Sequence, residues 1–158
     1  MTAALRAVLR YATLLVFLAV VAQVSLAAYG AFYTADKLGD QSGPDEKKII
    51  NEKMFDHGFS PHTALGYVIF IATVVLFLIA LGARVGRPLI WQYLALPVLV
   101  IVQILLAYAS EAVHGIGILH GINALVIFGL TGSLTFAEFR RRAVEADVAA
   151  TGGLTSPR

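Results

Sequence analysis

The chain contains no cysteine among its 158 residues, which excludes disulfide staples, thiolate metal sites and thiol redox chemistry. Charge is scarce as well: only 14% of residues are Asp, Glu, Lys or Arg, against 58% hydrophobic. A soluble domain averages about a quarter charged, so too little polar surface remains to cover a globule in water. An ordinary soluble enzyme is therefore excluded. The formal net charge of +2 is too small to argue for a nucleic-acid partner, and no nucleotide or phosphate motif is present.

What the chain does have is long uncharged runs, over 11–35, 63–83, 88–110 and 112–137. Each is at least about 20 residues long, enough at about 1.5 Å per residue to cross a hydrocarbon layer of about 30 Å. In lipid the backbone must satisfy its own hydrogen bonds, and these runs lack the alternation of a barrel. The expected fold is all-α: a polytopic membrane protein with a four-helix transmembrane bundle over 1–142. Its spans fall at about 11–33, 62–83, 88–110 and 114–137, with an outer loop over 34–61 and a disordered tail over 143–158. The lipid bilayer is the obligatory partner.

Basic residues set the expected orientation. Arg6, Arg10, Arg84, Arg87, Arg140, Arg141 and Arg142 all flank one side of the spans, which the positive-inside rule makes cytoplasmic. Both termini then face inward in a cell membrane. The small residues at Ser25 to Ala28 resemble a signal-peptidase site, but the uncharged run is long enough to span, so an uncleaved first helix is expected. In the outer loop, Gly43-Pro44-Asp45 is a turn and helix-start signal. The mixed residues that follow to Asp56 suit either a short surface helix acting as a lid or a solvated connector.

The most informative feature is an internal repeat. Setting His62 against His120 aligns the second and fourth spans, matching Val68, Ile69, Phe70, Thr73 and Leu76 with Val126, Ile127, Phe128, Thr131 and Leu134. All but the valines fall on the histidine's own helical face, and one turn along that face lie the small residues Gly66 and Ala124. The first and third spans align with Gln23 opposite Gln103. The chain reads as two parallel helical-hairpin repeats about a pseudo-twofold axis along the membrane normal.

That symmetry turns two histidines toward each other at similar depth, as the axial ligands of one haem iron would be. His62 and His120 are the expected metal ligands of a haem b. Gly66 and Ala124 would leave room for the macrocycle, and Phe70 and Phe128, with Ile69 and Ile127, would supply apolar walls. The competing reading makes each histidine an interfacial residue, with Ser60-Pro61 placing His62 at a helix start. Gln23 and Gln103 read most simply as hydrogen-bonded to each other, more sharply as contacts to a haem edge or a quinone-like ligand. His57 and His114 have no repeat counterpart and read as loop residues, while Tyr29 and Tyr108 suit an aromatic belt.

The strings SPHTALGYVIF and LHGINALVIFGL resemble those of a family of small four-helix membrane proteins of unknown function, found mainly in actinobacteria. The tandem hairpin, with a histidine opening its second and fourth helices, also resembles one half of haem A synthase, whose halves each hold such a histidine pair. That resemblance implies haem ligation by His62 and His120, though the synthase's outer cysteine pair is absent here. Three functions follow as expectations. The first is a bis-histidine b-type haem protein transferring electrons, alone or as a homodimer. The second is a non-catalytic subunit or assembly factor bound to partner membrane subunits, for which the cluster Gly115, Gly117 and Gly121 is a packing hint. The third is a haem-modifying enzyme.

Overall fold

The computed structural model describes residues 2–39 and 52–152. These form four helices: α1 (Thr2–Gly39), α2 (Glu52–Gly82), α3 (Arg87–Ala112) and α4 (Ile116–Gly152). All four are long and apolar enough to cross a membrane, and no strand occurs among the described residues. Each helix packs against two neighbours, α1 on α2, α2 on α3, α3 on α4 and α4 back on α1. The helices thus form a ring, with α1 opposite α3 and α2 opposite α4, and the two hairpins of the repeat occupy opposite sides of the bundle.

The helices outrun the apolar runs because hydropathy marks where lipid ends rather than where hydrogen bonding ends. Helix α2 begins at Glu52, so Pro61 lies inside it and His62 is roughly three turns from its start, not at a helix N-terminus. Helix α4 continues to Gly152, into the segment expected as a disordered tail. Alanines at 143, 146, 149 and 150 give that stretch high helix propensity. The proposed lid falls mostly on 40–51, outside the described residues, as do 153–158; Glu52–Asp56 belong to the first turns of α2.

A tight turn joins α2 to α3. Arg84 N donates to Leu81 O and Val85 N to Ala80 O, a Schellman pattern whose left-handed position is held by Arg84 at φ 50°. Pro88 then stands at the start of α3, where a missing N–H costs nothing. At the opposite end Val113, in extended conformation, breaks the chain between α3 and α4.

The core follows the repeat. Val20, Ile69, Val100 and Ile127, one residue from each helix, form a buried layer of two repeat-related pairs. Toward the arginine-bearing end, Thr73 and Thr131 are fully buried, as are Leu76 and Leu134. Leu9, Val16, Ala80, Tyr93 and Leu96 complete the core at this end. Val68 and Val126, the one matched pair off the histidine face, are 58% and 49% exposed and so face the surroundings of the bundle.

Candidate functional site

Helices α2 and α4 stand diagonally across the bundle, yet His62 and His120 meet in its middle, their ring centres 6.4 Å apart and planes tilted by 53°. Each lies 20 residues before the point where its apolar run gives way to the arginine-bearing side, Gly82 and Arg140 respectively, which is about 30 Å along the axis. They share one depth, near the end of the bundle away from the arginines.

A reciprocal pair of hydrogen bonds holds each imidazole. His62 Nδ1 lies 3.0 Å from Gln23 O, and Gln23 Nε2 donates to His62 O at 2.7 Å. In the second half His120 Nδ1 lies 3.1 Å from Gln103 O, and Gln103 Nε2 donates to His120 O at 3.0 Å. A carbonyl can only accept, so Nδ1 carries the proton in both rings. Nε2 of each is thereby left with its lone pair, the form that binds a metal. Contrary to the simplest sequence reading, the glutamines do not bond to each other. Each instead clamps the histidine of its own hairpin, which is why all four residues repeat together.

The halves differ at one point. Asn123 donates from Nδ2 to Gln103 Oε1 at 2.7 Å and to Leu99 O at 2.9 Å. Its repeat partner is Leu65, and Gln23 Oε1 is accordingly buried without a hydrogen-bond partner. Asn123 escaped the sequence reading because the repeat was judged by identities, and here the halves diverge.

The remaining expected site residues lie one to two turns along α2 and α4 from the histidines. A Cβ at Gly66 would lie 3.1 Å from Gln23 Nε2, a tight contact, and the Gln23 amide reaches His62 O slightly more closely than Gln103 reaches His120 O, 2.7 Å against 3.0 Å. Ala124 is half-buried at the equivalent place. Phe70 packs against the buried layer of Val20, Ile69, Val100 and Ile127. Phe128 is 41% exposed and tilts against Phe17, with ring centres 5.3 Å apart. Phe59, unremarked in the sequence, meets His62 edge-on at 6.4 Å. Its ring lies over Gly30, where a Cβ would come within 2.8 Å of it.

His57 and His114 stay apart from the pair. His57 is an exposed α2 residue whose Nδ1 meets Lys53 O, and His114 lies exposed in the turn between α3 and α4. Tyr108 bonds through its hydroxyl to Tyr67 at 2.7 Å, tying α3 to α2 at the histidine end. Among the described residues no group of three or more His, Cys, Asp or Glu converges.

Residues 54–111, which cover α2 from its third residue, the turn and α3 as far as Glu111, match the model of DUF6220, a family of unknown function. The matched segment is similar to that family and contains His62 and Gln103, one member from each clamp. No curated protein and no solved structure matches the chain. The likeness to haem A synthase accordingly rests on the order of helices and on His62 and His120 alone.

Proposed function

We propose that this protein is a membrane-embedded b-type haem protein in which His62 and His120 ligate one iron from opposite sides and which passes single electrons. The observation that carries the reading is the ring spacing. An imidazole nitrogen lies about 1.1 Å from its ring centre and binds a first-row metal at about 2.0 Å, so one ion between two rings sets their centres about 6.2 Å apart. The centres here are 6.4 Å apart.

Three further features favour the same occupant. Both Nδ1 atoms are committed to carbonyls, which fixes the tautomer and holds each ring in place without a ligand. Two donors are too few for a structural zinc site, whereas haem brings four in-plane nitrogens of its own and asks the protein for two. The layer of Val20, Ile69, Val100 and Ile127 gives the site a dry floor on the arginine side. When bound, haem would be held by His62 and His120 and would supply a one-electron couple. The chain's own part is to orient the two rings and to keep water from the inner side. The clamps of Gln23 and Gln103 do the first, and the aliphatic layer does the second.

In this reading the arginine end is cytoplasmic, the haem lies toward the outer face of the cell membrane, and an electron partner docks at the histidine end. The test is a reduced-minus-oxidised absorption spectrum of the detergent-purified protein, expressed with adequate haem supply. A sharp α-band in the wild type, lost in His62→Ala and in His120→Ala, is expected. A colourless wild-type protein would sink the proposal and favour a role as a subunit or assembly factor. Haem retained by one of the two variants would favour an open iron position and the haem-modifying alternative.

A further inference from the structure

At the end of the bundle remote from the histidines, a cleft of about 290 Å³ is lined by Arg6, Arg10, Arg141, Arg142 and Glu145, with Ala3 and Ala7. We propose that this cleft binds a phosphate group. Arg10 is only 8% exposed, its guanidinium 5.9 Å from the ring centres of Tyr11 and Phe139, and its Nε is buried without a hydrogen-bond partner. Arg6 donates from Nη2 to Arg84 O at 3.1 Å, which fixes its side chain, while its Nη1 is likewise buried and unpartnered. A buried cationic donor left unpaired is costly, and two in one cleft call for an anionic acceptor.

Charge counting agrees. Four guanidiniums meet Glu145 in the wall, whose Oε1 is already engaged by Arg141 Nε at 2.8 Å. Glu138, buried behind the cleft within electrostatic reach of Arg10, offsets at most a second charge, because burial pushes its carboxyl above the usual range. At least two positive charges remain in excess. Planar guanidinium forks match the oxygens of a phosphate, and the cleft lies where the apolar runs end, at the depth of lipid headgroups. The group can belong to an anionic phospholipid or to free phosphate.

The experiment follows thermal unfolding of the purified full chain in non-ionic detergent while phosphatidylglycerol, phosphatidylcholine or inorganic phosphate is added. Wild type is compared with Arg6→Gln and with Arg142→Gln, which alters an exposed position and spares the core. The lipid source predicts stabilisation by phosphatidylglycerol well beyond phosphatidylcholine, weakened about tenfold in apparent affinity by Arg6→Gln and less by Arg142→Gln. Stabilisation by inorganic phosphate alone, with the same dependence on the arginines, assigns the site to free phosphate. No response to either phosphate probe, or a preference that survives both substitutions, overturns the proposal.

Discussion

At the scale of single residues, the polar groups inside this bundle are nearly all matched, and the exceptions are informative. Gln103 has both ends of its amide satisfied, by His120 O and by Asn123, whereas Gln23 has a buried Oε1 with no partner. Replacing Asn123 by Leu copies the first half into the second. It leaves a second buried carbonyl oxygen orphaned and should cost about 1–3 kcal/mol, read by chemical denaturation in detergent. A change below a few tenths of a kcal/mol would show that Asn123 is not holding the amide. His62 and His120 were legible from sequence because the repeat placed them on matching faces. The clamps were not, since each joins a side chain on one helix to the backbone of the next, and backbone partners leave no trace in residue identities.

Between elements, α1 and α2 approach closely near the histidine end. A Cβ on Gly58 would lie 2.9 Å from Gly30 O, so the two helices touch backbone to backbone there. Gly58→Val should force them apart and cost about 1–3 kcal/mol, with a drop in melting temperature as the readout. An unchanged melting temperature would contradict this packing. The turn between α2 and α3 makes the opposite prediction. Arg84 occupies a left-handed conformation that costs a side-chain-bearing residue roughly 1 kcal/mol, so Arg84→Gly should stabilise by up to about 1 kcal/mol on the same assay. Sequence reading placed this connection between the spans at about 62–83 and 88–110, which mark the lipid and not the ends of the helices. Apolar runs report the thickness of the lipid, while α1, α2 and α4 continue as helix into polar sequence on either side.

For the whole molecule, the four-helix bundle and its two-hairpin symmetry were readable from hydropathy and from the matched faces of the second and fourth spans. The structure extends that symmetry to the core, where Val20 pairs with Val100 and Ile69 with Ile127. It also shows where symmetry was given up. Thr13 and Tyr93 are repeat partners on diagonal helices, and they meet through their hydroxyls at 3.2 Å, both fully buried. Nothing in either helix alone signals that contact, because it depends on the size difference between the two residues. The proposed orientation is testable at this scale because the chain has no native cysteine. Val113→Cys, in the turn at the histidine end, should react with a membrane-impermeant maleimide on intact cells. Val148→Cys, at the arginine end, should react only after permeabilisation. The reverse pattern would invert the topology.

The central claim is that two imidazoles on diagonal helices hold one iron. Electron paramagnetic resonance of the oxidised purified protein, with haem and protein quantified on the same sample, tests it most directly. The account predicts one haem per chain and a low-spin signal, lost together with the bound haem on removal of either His62 or His120. A high-spin wild-type spectrum, or a low-spin signal untouched by both substitutions, would contradict it.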